Sequence, residues 1–242
     1  MNTDKYYESH IKCDFLNYLR ARRTIGARSV IASEYVLGAT GRRADLAIYN
    51  GSRFIGIEVK SQYDTLLRLR DQINAYISCF DDVMIALDER HVEEGLEIAP
   101  VEVAVFEVGR RGDIRLRRPA AGEPQVSAKV RLQLLTMQEL KKLLGYGVSA
   151  PVKRSLLLER AETLSKNAVR GAVVDAFKET FSDTSADFWR QVKGKRVTLD
   201  ALGCLSRYAS ERVISREKEN EKARFWESWQ KDAAAVLREV SA

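Results

Sequence analysis

Histidine and cysteine are scarce in this 242-residue chain, with two of the first and three of the second. His10 and His91 stand alone, without ligand partners at metal spacing, and are assigned no catalytic role. Cys13, Cys79 and Cys204 are odd in number, far apart and free of any CxxC pairing, which argues against a disulfide frame and a zinc site and leaves them reduced and structural. No run approaches the roughly eighteen apolar residues of a membrane span. Residues Met1 to Tyr7 also lack the apolar stretch of a secretory signal, so the expected location is cytoplasmic, with no membrane partner.

What is present is a balanced globular composition, 45% hydrophobic and 31% charged, with a net charge of +6. That charge is unevenly spread. Residues 1–109 carry 13 Lys/Arg against 17 Asp/Glu, whereas residues 110–242 carry 27 against 17. An acidic front and a basic back suit a carboxylate-bearing half joined to one that holds a polyanion; an unevenly charged solvated surface is the competing reading.

Residues 5–23 place Tyr7, Ile11, Phe15 and Leu19 at helical spacing, and Ser29–Leu37 reads as a short strand. Asp64–Phe80 reads as a helix with Leu66, Leu69, Ile73, Tyr76, Ile77 and Phe80 on its buried stripe and Asp64 as N-cap. Asp82–Asp88 and Val101–Val108 have strand character around a short helix, His91–Ile98, and Gly109–Arg118 forms a basic turn and strand. This order is that of an α/β core over residues 1–118. Residues 119–125, with Pro119 and Pro124, read as a linker to a basic helical region, 126–242. In that region helices are expected over Thr136–Leu144, Leu156–Phe181, Ser185–Val192, Leu199–Ile214 and Arg216–Val240.

Between Arg43 and Ser61 two apolar segments flank Asn50-Gly51, a pair that accepts the positive φ of a tight hairpin turn. A two-residue loop there sets Tyr49 opposite Ser52 and Asp45 opposite Gly56. Leu46, Ile48, Ile55, Ile57 and Val59 then share the core face, and Asp45, Glu58 and Lys60 the other. Two carboxylates can hold Mg²⁺ or Mn²⁺ through oxygen, and a neighbouring ammonium can orient a water or stabilise developing charge, a set suited to phosphodiester hydrolysis. The competing reading is an exposed cross-strand ion-pair cluster of little energetic weight.

Asp45, a twelve-residue interval and Glu58-Val59-Lys60 together resemble the PD-(D/E)xK phosphodiesterase superfamily, with Arg43-Ala44-Asp45 where its Pro-Asp motif stands and alanine in place of proline. Gln72 and Tyr76, spaced as QxxxY, are similar to a helix motif of its RecB-like branch, and the resemblance covers about residues 5–108. It implies a restriction-endonuclease-like mixed sheet flanked by helices, in a bacterial or phage protein. It further implies that Asp45, Glu58 and the Val59 carbonyl bind Mg²⁺ or Mn²⁺ and that Lys60 serves the attacking water. Glu34 stands as a third acid of the kind the superfamily supplies, or as a surface strand acid. Glu8 is read as a solvent-facing acid, with approach to the same site from the first helix as the alternative. Gln72 either reaches the attacking water or caps a packing boundary, and Tyr76 is read as a core aromatic.

Arg42 and Arg43, just before Asp45, are placed to meet an entering phosphate, and Lys193, Lys195 and Arg196 form a second basic cluster, as do Arg110, Arg111, Arg115, Arg117 and Arg118. Trp189, Trp226 and Trp229 are read as packing residues. The reading is a metal-dependent nuclease acting on DNA, for which a homodimer is compatible. Its rivals are a non-catalytic nucleic-acid-binding or defence-complex component that keeps the fold, and an interaction module built on the last helices.

Overall fold

The computed structural model describes residues 6–38 and 41–205, all within one unit, Met1–Ser206. Its centre is a six-stranded sheet in the order β1 (Val30–Val36), β2 (Arg43–Tyr49), β3 (Phe54–Lys60), β4 (Asp82–Asp88), β5 (Val103–Val108) and β6 (Ile114–Arg118). The β1–β2–β3 meander is antiparallel, β3–β4–β5 is parallel, and β6 returns antiparallel to β5. The sheet is therefore mixed. Strand β3 is buried along its whole length, as expected of a central strand covered on both faces.

Helix α1 (Glu8–Ala21) covers one face, its Ile11, Phe15, Leu16 and Leu19 packing with Leu46, Ile48, Ile55, Ile57 and Val59. Helix α2 (Leu69–Cys79), the crossover from β3 to β4, covers the other through Ile73 and Tyr76, with α3 (Val92–Ile98) beside it. Asp64 is not the N-cap of α2, which begins five residues later; its carboxylate instead closes a turn by accepting from the backbone N–H and hydroxyl of Ser61, at 2.8 and 2.6 Å.

The region after residue 125 completes this core. Helices α4 (Ala128–Leu132), α5 (Met137–Leu143) and α6 (Arg154–Ala161) lead into the long α7 (Lys166–Gln191), followed by α8 (Leu199–Gly203). The expected helix Leu156–Phe181 is broken at Thr163–Leu164, where Ser165 caps a new helix, and that helix runs on through Ser182–Thr184 to take in the expected Ser185–Val192. Val173, Phe177 and Phe181 of α7 lie in the α2-side core, whereas Phe188 and Val192 lie in the α1-side core. The helix thus crosses the free edge of β1. There Ser185 accepts from the Ile31 N–H at 2.9 Å and donates to the Ile31 carbonyl at 3.1 Å, while Trp189 donates to the Ser29 carbonyl at 2.7 Å. An exposed strand edge is a template for unwanted pairing, and α7 removes it. The expected boundary near residue 118 accordingly does not separate two cores. The expected helix Arg216–Val240, with Trp226 and Trp229, lies outside the described residues, as does Leu199–Ile214 beyond residue 205. Cys13, Cys79 and Cys204 are free thiols, and no described helix is long and apolar enough to cross a membrane.

Candidate functional site

The site forms where β1, β2 and β3 lie level. Observed partners are Tyr49 with Phe54 and Leu46 with Ile57, so the hairpin is centred on Gly51-Ser52, one residue later than expected, and Gly56 faces Ala47 instead of Asp45. The cause is the Asn50 side chain, which accepts from the N–H groups of Ser52 and Arg53 at 3.0 and 2.9 Å and so turns the chain from outside the loop. Opposed positions slip by two residues. A slip of two keeps every side chain on its own face, so the apolar set Leu46, Ile48, Ile55, Ile57 and Val59 is as expected.

That register sets Asp45 level with Glu58. On the other side, the pairs Ser33–Leu46 and Tyr35–Ala44 bracket Glu34 and Asp45, so three carboxylates span three neighbouring strands. Strands β1 and β2 both break their alternation here: Ala32 and Tyr35 pack in the same core cluster, as do Ala44 and Ala47. Glu34 carries the break with φ of +59°, a left-handed conformation that costs a non-glycine residue energy and gathers at functional sites.

Helix α1 adds the rest. Lys12, only 4% exposed, lies within the apolar stripe, and its Nζ stands 2.5 Å from Glu8, 2.6 Å from Glu34 and 3.5 Å from Asp45. One carboxylate oxygen from each of Glu8, Glu34 and Asp45 falls within 4.8 Å of the others, a spacing that can hold a metal ion. Burial alone lowers a lysine pKa, but these three acids more than offset it and hold Lys12 above the usual range, hence charged. Sequence reasoning missed Lys12 and ranked approach to the site second for Glu8, which joins the cluster while its side chain stays 38% exposed. The readable signal is a lysine between Ile11 and Phe15, since an ammonium on a buried stripe needs carboxylates facing it.

From the opposite layer, α2 reaches Glu58. That carboxylate is fully buried, accepting from Lys60 Nζ at 2.5 Å through one oxygen and from the Tyr76 hydroxyl through the other. Tyr76 is therefore a core aromatic, as read, and also a positioning group for Glu58; its hydroxyl is pushed up by burial and then by the charges of Glu58 and Asp45. Asp45 is fixed between the layers, with Oδ2 accepting from the Val59 N–H at 2.7 Å and Oδ1 facing Lys12. Its pKa is raised, first by burial and next by Glu58, with Lys12 pulling the other way. Asp45, Glu58 and Lys60 do not share a single open face; they converge where the two helix layers meet the strands.

Gln72 lies one turn before Tyr76 on α2, and its Oε1 is buried without a hydrogen-bond partner among the described residues. Val59 engages the site through its backbone N–H while its side chain packs on the α1 side. Arg43 is exposed, beside the site through its carbonyl, which accepts from Tyr76, and it makes no ion pair among the described residues. Arg42 binds Asp71 of α2. Lys193 and Lys195 make no ion pair among the described residues, and Arg196 pairs with Asp14 of α1 at 3.0 Å, not with Glu8, Glu34, Asp45 or Glu58. Arg20, at the other end of α1, donates to the Lys195 carbonyl, twelve residues or about 18 Å of helix from Glu8. The cluster Arg110–Arg118 is largely paired, with Arg110, Arg115 and Arg117 each against Glu or Asp.

Residues 1–206 match the family model described as Bacteriophage P4 protein cII. Protein cII of Enterobacteria phage P4 is 30% identical over 207 residues, which span 83% of this chain and 78% of that protein. A solved structure, the SPO1766 protein of unknown function from Silicibacter pomeroyi, is similar at 22% identity and a TM-score of 0.37, covering 58% of this chain and 94% of its own.

Proposed function

The chain belongs to the Bacteriophage P4 protein cII family, and we propose that it is a metal-dependent nuclease that hydrolyses DNA phosphodiester bonds. The observation that carries the reading is the row of Glu34, Asp45 and Glu58 across three strands, completed by Glu8 and by Lys60. A structural ion-pair network does not need four carboxylates against two ammonium groups when two of the carboxylates, Asp45 and Glu58, lie largely or wholly buried, because each unpaired buried charge is costly. The restriction-endonuclease-like assignment of the sheet belongs to the same proposal. It is supported by a hairpin bearing Asp45 and Glu58-Val59-Lys60, followed by a helical crossover to a parallel strand.

The donors fit Mg²⁺ or Mn²⁺. They are all carboxylate oxygens, the preferred ligands of hard divalent ions, and a cationic ammonium already lies among three of them. Asp45, Glu34 and Glu8 are the residues that would hold the ion, with Glu58 adjoining them. This widens the set of Asp45, Glu58 and the Val59 carbonyl that the sequence motif implies. When bound, the ion supplies Lewis-acid polarisation of the phosphate and a water of lowered pKa.

The side chains do the rest. Lys60, held by Glu58, orients the attacking water and meets charge developing on the phosphate. Tyr76 fixes the other oxygen of Glu58, and the unpartnered Gln72 Oε1 is available as an acceptor for that water. Arg43 is placed to hold the phosphate backbone. Charge on the DNA makes such contact sensitive to salt and indifferent to sequence.

The test is cleavage of single- and double-stranded DNA and RNA with Mg²⁺ or Mn²⁺ by the wild type, Asp45→Ala and Lys60→Ala. The expected result is cutting of DNA by the wild type and a loss of about 10²–10⁴-fold in each variant. A wild type that binds DNA and leaves every substrate intact overturns the enzymatic reading, and leaves a binding component in which Lys12 permanently neutralises the acids.

A further inference from the structure

Three of the large hydrophobic side chains exposed at the surface lie close in the chain to residues of the acid site. Tyr7, Tyr63 and Leu67 are 47%, 53% and 91% exposed. Each is tied by the chain to a site residue: Tyr7 immediately precedes Glu8, Tyr63 follows Lys60 by three residues, and Leu67 precedes α2, which carries Gln72 and Tyr76. The two tyrosines, distant in sequence, meet with ring centroids 5.4 Å apart and a tilt of 38°. His10 stacks behind Tyr7 at 6.3 Å and 29°.

The loop bearing Tyr63 is built to hold it. Asp64 accepts from Ser61 twice, the Asp64 N–H returns to the Ser61 carbonyl at 3.1 Å, and the Tyr63 N–H reaches Ser61 Oγ at 3.3 Å. No hydrogen bond engages the Tyr63 hydroxyl among the described residues, so neither bonding nor burial accounts for a fixed aromatic ring at this place. Isolated exposed aromatics are ordinary. Two half-exposed rings in contact, one beside Glu8 and the other three residues from Lys60 in the chain, offer an aromatic surface to a ligand.

We propose that Tyr7 and Tyr63 form a platform on which an unpaired base stacks beside the scissile phosphate, and that the substrate of the site is single-stranded DNA. The inference rests on the nuclease reading for the use of the neighbouring acids. In a duplex the base faces are covered by their neighbours; only an unpaired nucleotide offers a free π-face, and stacking on an aromatic ring tolerates any base. Cations for the adjoining backbone are at hand in Arg43 and in Arg68, the N-cap of α2, whose carbonyl accepts from the Gln72 N–H; both are exposed and make no ion pair among the described residues.

The experiment is fluorescence anisotropy with a labelled oligothymidylate and a blunt duplex of equal length, in Ca²⁺, with the integrity of the DNA checked on a gel. Wild type, Tyr7→Ala, Tyr63→Ala and the double variant Tyr7→Phe, Tyr63→Phe are compared over a salt series, with circular dichroism to verify folding. The wild type is expected to prefer the single strand. Each alanine variant should lose about 10-fold on the single strand alone with an unchanged salt slope, and the phenylalanine variant should bind like wild type. Preference of the wild type for duplex, or alanine variants that bind the single strand unchanged or weaken equally on both DNAs, overturns the proposal. Since binding is read without turnover, absence of cleavage by the wild type in Mg²⁺ counts against the nuclease reading separately.

Discussion

At the residue scale, the site holds opposing demands on Asp45 and Lys12. A carboxyl whose folded pKa is raised binds its proton more tightly folded than unfolded. Its contribution to stability is therefore full below the unfolded value of 3.8 and is lost as pH rises towards the folded value. At neutral pH the buried Asp45 carboxylate thus costs the fold stability. Asp45→Asn should raise Tm at pH 7 and narrow the gap at pH 4, while abolishing Mn²⁺ binding; a variant less stable than wild type at both pH values contradicts this account. Lys12→Met makes the complementary case. It frees Glu8, Glu34 and Asp45 from their ammonium and leaves an all-oxygen pocket, so Mn²⁺ should bind at least about tenfold more tightly by calorimetry. The metal-free variant should be destabilised by less than the about 3–5 kcal/mol of a fully buried broken pair, because the Glu8 and Glu34 side chains are more than a third exposed. Equal Mn²⁺ affinity in variant and wild type would mean that Lys12 does not sit in the cation position.

At the element scale, Asp81 joins the C-terminal helices to the sheet just before β4. Burial pushes its carboxyl up, but Arg170 of α7, the Phe54 N–H and Arg131 of α4 more than offset this and hold it below the usual value. The sign is the reverse of Asp45: this stability is present above pH 3.8 and lost as pH falls through the lowered value. Asp81→Ala should cost about 3–5 kcal/mol at pH 7 and much less in acid, read by denaturant titration at two pH values. These long-range partners, 50 and 89 residues away, could not be paired from the sequence, whereas local elements could. Strand β4 was legible to the residue because turn-bounded apolar runs leave few alternatives. The hairpin was legible in parity but not in position, since Asn50 can form the turn with its backbone or direct it with its side chain. A turn fixes the parity of a hairpin, so Asp45, Glu58 and Lys60 could be named together from the sequence; nothing local fixes which side of a helix meets which strand, so Lys12 was not named and Glu8 only as the lesser alternative.

At the scale of the whole molecule, α7 decides what can fold alone. The sequence separates an α/β core ending at residue 118 from a helical region, because strand patterns stop there and a Pro-containing stretch follows. The composition change is real, yet it marks a change of secondary structure and not of hydrophobic core. Phe177 packs edge-on against Tyr35 at 5.3 Å and Phe54 at 5.0 Å, and Phe181 joins them, so one face of the β2–β3 hairpin is closed by residues more than a hundred positions away. Ser185 supplies both hydrogen bonds that Ile31 would otherwise lack at the edge of β1, the strand that carries Glu34. A fragment of residues 1–125 would expose that edge and its aromatic face together, a combination that favours aggregation over folding. The fragment should therefore be insoluble or lack a cooperative melt, whereas residues 1–206 should melt in one transition. A soluble, cooperatively melting 1–125 that still binds Mn²⁺ would show that the hairpin and α1 suffice to build the site. Ser185→Ala in the full chain is the milder version, expected to cost about 1–3 kcal/mol from the unsatisfied Ile31 groups; by shifting β1 it should also weaken Mn²⁺ binding at Glu34, although Ser185 itself touches no carboxylate of the site.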